Sequence, residues 1–113
     1  MIQIFGTKKC KGTQKALRYF KERNIETQFI DLNVKGLSKG ELNNILQFYT
    51  IDEIIDTTSK EYITKNFKYI LHDKTTVALE YPLILKTPLI RFDKKVLMGY
   101  DEKLFNHHFK VTA

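Results

Sequence analysis

Apolar and polar positions alternate or recur at helical spacing along the chain, and this pattern predicts a series of elements. Residues 2–5 alternate in the manner of a first β-strand. The apolar positions of about residues 13–23 recur on one face of a helix, which Asn24 ends in a left-handed conformation. A second strand is predicted at 27–32. A strand–helix–strand unit of this kind pairs its two strands in parallel through a right-handed crossover.

Short helices are predicted for the middle of the chain. Three pairs match the capping-box pattern, in which a hydroxyl residue precedes a glutamate by three positions: Ser38 with Glu41, Thr50 with Glu53, and Thr58 with Glu61. Apolar residues follow these pairs at helical spacing. A further helix over about 74–80 is predicted to end near Pro82, because proline does not continue a helix freely.

The pattern in the last third of the chain predicts a β-hairpin followed by a helix. Strands are predicted near 89–92 and 96–98, with a turn at 93–95 between them. Asp101 is placed to cap a final helix that runs through about residue 109. The predicted order is therefore β-α-β, several helices, then β-β-α, which defines an α/β protein. No repeat or flexible linker interrupts this order.

Composition and charge exclude several classes of protein. The 113 residues suit one compact domain, and no run approaches the roughly 20 apolar residues of a membrane helix. The first residues do not resemble a secretory signal, and a lone cysteine fits a reducing cytoplasm. The net charge of +6 comes from lysines spread along the chain, so we expect no direct contact with nucleic acid. A solvated basic surface is the main interpretation, and a basic site for acidic partners is the alternative.

The single cysteine, Cys10, is the leading candidate for chemistry. It lies between the first predicted strand and helix, where unpaired N–H groups and a partial positive charge favour a thiolate. Lys8, Lys9 and Lys11 flank it and favour the same ionised form. A buried structural thiol is the alternative, but these polar neighbours argue against it. No internal disulfide can form.

Other polar residues give weaker indications. Thr13 has either a helix-capping or turn role, or a role in which its hydroxyl donates a hydrogen bond to the Cys10 thiolate. His72, His107 and His108 show no metal-ligand spacing with each other or with the cysteine, so no metal site is expected.

Seven short stretches, taken in order, form the most specific pattern in the chain: 4–10, 13–17, 25–32, 35–37, 56–60, 82–90 and 99–100. By these stretches the chain resembles the arsenate reductase (ArsC-like) family, which also contains Spx-type regulators. The resemblance extends from about residue 2 to residue 109. It implies a thioredoxin-like fold of the glutaredoxin type.

In that family the thioredoxin-like scaffold carries a helical insertion. The resemblance implies one domain over residues 1–113, with scaffold parts at about 1–36 and 83–113 and an insertion at about 37–82.

The resemblance also implies roles for individual residues. Cys10 is expected to be the nucleophile. Pro88 is expected to be a cis-proline that faces it, although a simple edge-strand proline is the alternative. Lys60 occupies roughly the place of a basic residue that helps to bind an oxyanion. The expected substrate- or partner-binding residues are Lys9, Lys11, Thr13, Lys60, Thr87 and Pro88.

The sequence departs from the family at three positions near these residues. Gln14 and Thr87 stand where the reductases usually carry arginines that bind the anion. Thr13 stands where oxidation-sensing Spx-type regulators commonly carry a second cysteine.

The resemblance predicts a cytoplasmic thiol oxidoreductase with no bound cofactor, in which the Cys10 thiolate attacks an electrophilic sulfur or, as the alternative, an arsenic oxyanion. An external thiol would have to resolve the adduct on Cys10, either glutathione or a thioredoxin-like protein, because the chain has no second cysteine. The alternative is an Spx-like regulator that binds RNA polymerase, or another protein of the transcription machinery, without catalysis.

Overall fold

A four-stranded mixed sheet forms the centre of the protein. In the computed structural model, residues 1–68 and 73–109 are described. The strands are β1 (Ile2–Gly6), β2 (Thr27–Asp31), β3 (Leu89–Phe92) and β4 (Lys95–Met98). They are ordered β2-β1-β3-β4 across the sheet. β1 pairs with β2 in parallel, while β1–β3 and β3–β4 are antiparallel.

Six α-helices and one short 3-10 helix are found in the described part of the chain. They are α1 (Lys11–Glu22), α2 (Lys39–Ile45), α3 (Ile51–Ile54), α4 (Lys60–Thr64), α5 (Lys74–Glu80), the 3-10 helix (Pro82–Ile84) and α6 (Glu102–Phe109). The first helix begins earlier than predicted, because Cys10 itself is its N-cap and accepts a hydrogen bond from the Gln14 amide at 3.0 Å.

Two of the three predicted capping boxes are confirmed. Ser38 and Glu41 exchange reciprocal side-chain-to-backbone hydrogen bonds at the start of α2. Thr50 and Glu53 do the same at the start of α3. Each box satisfies two backbone N–H groups that a helix start leaves without intrahelical partners.

The third predicted box, Thr58 with Glu61, is wrong. Ser59 caps α4 instead, and its hydroxyl accepts a hydrogen bond from the Tyr62 amide at 3.2 Å. Thr58 is engaged by the Asp56 carboxylate, which accepts from both its amide at 2.9 Å and its hydroxyl at 2.6 Å. A turn closed by a carboxylate therefore prevents Thr58 from capping the helix.

The predicted turns are confirmed, with one shift in register. Asn24, after α1, has a φ of 54°. In the hairpin, Asp93 and Lys94 have φ values of 46° and 63°. Positive φ at both central residues is the geometry of a two-residue hairpin turn, so β4 starts at Lys95 rather than at 96.

Strand alternation divides the core between the two faces of the sheet. Phe5 and Leu89 face the helices of the middle of the chain, in one cluster with Leu42, Ile45, Ile54 and Ala78. Ile4 and Ile90 face α1 and α6, in a second cluster with Ala16, Tyr19, Phe20, Phe105 and Phe109. Because successive strand residues point to opposite faces, both faces of the sheet are covered.

A β-α-β unit, a hairpin and a final helix around this sheet make up the thioredoxin-like α/β fold, which confirms the predicted class. The division of one domain into a scaffold and an insertion stays a prediction. Within residues 1–68 and 73–109, none of the helices has the length and apolar character needed to cross a membrane.

Candidate functional site

Cys10 lies at the point where the chain leaves β1 and enters α1. A turn closed by its amide and the Thr7 carbonyl, at 3.2 Å, precedes it. The residue is half-buried, and its Sγ donates a hydrogen bond to the Thr87 carbonyl oxygen at 3.5 Å. This contact joins two segments that are 77 residues apart in sequence. The thiol therefore lies between the helix start and the segment before β3.

The Thr87–Pro88 peptide bond is cis, as predicted. The Pro88 side chain is buried and lies against the start of α1. A Cβ added to Gly12 would lie 3.1 Å from Pro88 Cδ, 3.7 Å from the Thr87 carbonyl oxygen and 3.9 Å from Cys10 Sγ. Glycine at position 12 thus lets the proline approach the helix beside the sulfur.

Thr13 lies in the first turn of α1 and is completely buried. Its hydroxyl has no hydrogen-bond partner among the residues that the structure describes. A buried hydroxyl without a partner is unfavourable by roughly 1–3 kcal/mol. While Cys10 is protonated, the Thr13 hydroxyl therefore donates to no acceptor among the described residues.

The pKa of Cys10 lies below its ordinary value. Burial raises it, but the side chains of Thr13 and Thr87 and the backbone amides of Thr13 and Gly12 lower it through hydrogen bonds, with the larger combined effect. The neighbouring lysines at positions 8, 9 and 11 were expected to lower the pKa, but they are exposed and do not account for the shift. Exposed ammonium groups are screened by solvent. The Thr87 carbonyl can accept a hydrogen bond only from the protonated sulfur. When the sulfur ionises, it loses this contact and accepts hydrogen bonds from the Thr13 and Thr87 side chains and the Thr13 and Gly12 amides.

Gln14 has a structural contact at the position where the reductases usually carry an arginine. Its side-chain amide donates to the Lys8 carbonyl at 2.7 Å and holds the turn before Cys10. Arg91 does not replace the missing arginine, because its guanidinium donates to Asn44 at 2.9 Å and to Gln3.

A cleft of about 720 Å³ is lined in part by the turn that leads to Cys10. Lys8 and Lys9 line it from the turn before Cys10, and Lys60 lines it from the first residue of α4. We call it the lysine cleft, after these three residues. Cys10 does not line it, although it directly follows Lys9.

The structure thus divides the predicted site residues into two neighbouring groups. Thr13, Thr87 and Pro88 surround the sulfur of Cys10. Lys9 and Lys60 line the cleft. Lys11 belongs to neither group, since it is an exposed residue at the start of α1.

Other residues of this region were not predicted. Gly6 and Gly12 permit the close approaches around the thiol, and Lys8, Asp31 and Leu83 line the cleft. One sequence signal could have indicated these close approaches of backbone and side chains. Gly6 lies at the end of a predicted strand, and Gly12 lies at the start of a predicted helix.

No group of three or more histidine, cysteine or acidic side chains is arranged for a metal ion within residues 1–68 and 73–109. His72, one of the three histidines without metal-ligand spacing, lies outside the described residues.

A thioredoxin-like sheet with one thiol at the start of α1, opposite a cis-proline, defines the class as a thioredoxin-fold protein with a monothiol site. No family model matches the chain. Curated relatives do: an uncharacterised protein of Haemophilus influenzae is 32% identical, with the match covering 96% of this chain and 99% of the relative. The global transcriptional regulator Spx 2 of Oceanobacillus iheyensis is 30% identical over 89% of this chain and 78% of its own length.

Solved structures agree on the fold. A structure of the YffB protein has a TM-score of 0.82 and 16% identity, and the match covers 95% of this chain and 97% of that one. The arsenate reductase from Vibrio cholerae has a TM-score of 0.73 and 18% identity, and the match covers 87% of this chain and 88% of that one. The chain therefore belongs to the family of its Spx relatives, as its sequence resemblance predicted, and it shares the fold of the arsenate reductase from Vibrio cholerae.

Proposed function

We propose that the protein is a thiol-dependent oxidoreductase in which Cys10 is the single nucleophile. The observation that carries this proposal is the half-buried sulfur at the start of α1, whose pKa is lowered by hydrogen bonds from Thr13, Thr87 and Gly12. A thiolate is the reactive form of cysteine. Partial exposure leaves it accessible to a substrate.

The proposed reaction is a disulfide exchange in two steps. The Cys10 thiolate attacks one sulfur of a substrate disulfide, a mixed disulfide forms on Cys10, and the other substrate sulfur leaves as a thiolate. An external thiolate, from glutathione or a thioredoxin-like protein, then attacks the substrate sulfur of the mixed disulfide, forms a new disulfide with it and releases Cys10 as a thiolate. A second external thiol reduces this new disulfide, so two external thiols are oxidised to a disulfide and both substrate sulfurs end as thiols. Since the chain has one cysteine, no internal thiol can perform the second step.

A sulfur electrophile fits this site better than arsenate. Arginines hold an oxyanion through paired donors, and Gln14 and Thr87 occupy the two usual arginine positions. Gln14 donates to the Lys8 backbone instead. We place the activity in the cytoplasm, where reduced thiols are available for the second step.

The test is turnover by purified protein, with glutathione as reductant and a small disulfide or arsenate as the oxidised substrate. We expect disulfide reduction that exceeds the uncatalysed rate, little arsenate reduction, and no turnover by the Cys10→Ser variant. Circular dichroism checks that the variant is folded. A wild-type protein that reacts with disulfides no faster than free cysteine at the same pH contradicts the proposal.

An Spx-like regulator is the second candidate, and it is favoured by the curated relatives. Global transcriptional regulator Spx 2 of Bacillus cereus, for example, is 27% identical over 91% of this chain. In this case the partner would be RNA polymerase or another protein of the transcription machinery. A pull-down of purified RNA polymerase with the wild type and Cys10→Ser separates the candidates. Binding by both proteins supports the regulator, and binding by neither removes it.

A further inference from the structure

The lysine cleft contains more positive charge than its own carboxylates neutralise. Lys8, Lys9 and Lys60 are exposed, and within the described residues none of them forms an ion pair. The cleft also contains Asp31 and Glu61. The cleft therefore has an excess of positive charge at the turn that leads to the proposed nucleophile.

The carboxylate of Asp31 is already engaged. One of its oxygens accepts hydrogen bonds from the Asn33 amide at 2.9 Å and from the Asn33 side chain at 3.3 Å. This carboxylate closes a turn after β2 and shapes one wall of the cleft. Glu61 forms no ion pair with these lysines among the described residues either, so the three ammonium groups remain available to a ligand from outside the chain.

The size of the cleft indicates what kind of ligand it admits. Pockets of about 300–1,000 Å³ hold ligands of drug-like size, and this one measures about 720 Å³. A single oxyanion would leave most of that volume unfilled. Leu83 and the methylene stems of the lysines add apolar surface that an oxyanion does not use.

We propose that the lysine cleft binds an acidic peptide segment that flanks the target cysteine of a protein substrate. Its carboxylates would approach Lys8, Lys9 and Lys60, while the neighbouring disulfide reaches Cys10 one residue beyond Lys9. Complementary charge of this kind raises the rate of encounter and selects among partners. The inference rests on the proposed oxidoreductase function and specifies its substrate class.

The experiment compares two cysteine peptides of equal length, each carried as a mixed disulfide with thionitrobenzoate. One has glutamates around its cysteine, and the other has glutamines. Cys10 attacks the peptide sulfur and thionitrobenzoate leaves, so its absorbance gives the second-order rate. We expect the acidic peptide to react roughly three- to tenfold faster at low salt. The ratio should fall toward one at high salt, where surface charges are screened.

Lys60→Glu is the decisive variant, with Lys39→Glu as its matched control. Both lysines are exposed first residues of short helices that follow a serine N-cap, and both changes alter the net charge equally. Lys39 does not line the cleft. We expect Lys60→Glu to remove the preference for the acidic peptide and Lys39→Glu to retain it.

Three outcomes overturn the inference while leaving the proposed function intact. In the first, both peptides react at the same rate at low salt. In the second, Lys39→Glu lowers the acidic preference as much as Lys60→Glu does. In the third, Lys60→Glu slows reaction with glutathione disulfide as much as with the acidic peptide, so that the cleft serves a small thiol. Failure of Cys10 to react with any disulfide overturns the proposed function itself.

Discussion

The buried hydroxyl of Thr13 couples the packing of α1 to the ionisation of Cys10. In the protein with a protonated thiol, this hydroxyl has no acceptor among the described residues. A thiolate supplies one, so part of the desolvation cost of the hydroxyl is recovered when the sulfur ionises. Hydrogen bonds to the charged form lower a pKa, and Thr13 is among the groups that lower the pKa of Cys10.

Replacing Thr13→Val tests this coupling. Removal of a donor to the anion destabilises the thiolate, raises the pKa of Cys10 and leaves a smaller thiolate fraction at neutral pH. We expect alkylation by iodoacetamide at pH 7 to slow roughly tenfold, the effect of one hydrogen bond to a charged group. The measurement is the alkylation rate against pH.

The wild-type profile should reach its plateau at a lower pH than that of a free thiol, because the pKa of Cys10 is lowered. Thr13→Ser is the control: it keeps the hydroxyl and should keep most of the reactivity. Equal profiles for the valine variant and the wild type would show that Thr13 only fills space.

At the scale of elements, the site depends on how closely β1 approaches α1. Gly6 ends the strand, and a Cβ at this position would lie 2.3 Å from Thr13 Oγ1 and 2.7 Å from Thr13 Cγ2. A Cβ atom does not approach non-bonded heavy atoms this closely in folded proteins. The absence of a side chain at Gly6 therefore makes room for the side chain of Thr13, which in turn lies next to Cys10.

Gly6→Ala should destabilise the protein by about 1–3 kcal/mol, the usual cost of overpacking a core. Urea unfolding measures the change. The same substitution in a Thr13→Ala background should cost less, because Oγ1 and Cγ2 are removed and only the Cβ of residue 13, at 3.1 Å, remains. The resulting double-mutant cycle gives the coupling energy of the pair.

Gly40→Ala is the matched control for this prediction. Gly40 lies in α2, and a Cβ there meets no heavy atom within 4 Å. Alanine should stabilise the helix by about 0.5–1 kcal/mol. Additive effects at Gly6 and Thr13 would contradict the proposed steric pairing.

At the scale of the whole molecule, an aromatic cluster attaches the last helix to the first. Phe105 of α6 is completely buried, and its ring contacts those of Tyr19, Phe20, Tyr100 and Phe109 at centroid distances of 5.0–5.7 Å. This cluster covers the face of the sheet that α1 also covers. It therefore stabilises the helix whose N-terminus carries Cys10.

Phe105→Ala should lower the free energy of unfolding by about 3–5 kcal/mol, through lost burial and the cavity that remains. The neighbouring Leu104 is 45% exposed, so Leu104→Ala should cost less than about 1 kcal/mol. Thermal unfolding of both variants measures the difference. Similar melting temperatures for the two variants would contradict a structural role for the cluster.

Local patterns in the sequence were sufficient to predict the elements and their order. The hairpin turn, the helix ended by Asn24 and the boxes that start at Ser38 and Thr50 all depend on residues within four positions of each other. The box at Thr58 failed because Asp56, just outside the pattern, competes for the same hydroxyl. A local rule works when no neighbour offers a stronger partner.

By itself, the sequence determined the fold class, the family resemblance and the presence of one cysteine, which is the nucleophile of the proposed function. Only the tertiary structure decided what surrounds that cysteine. It brings Thr87 to Cys10 across 77 positions and places Lys60 in the cleft. It also buries the Thr13 hydroxyl beside Gly6 without a hydrogen-bond partner among the described residues. The physical reason is that burial and close approach depend on how distant segments pack, and no local spacing encodes those contacts.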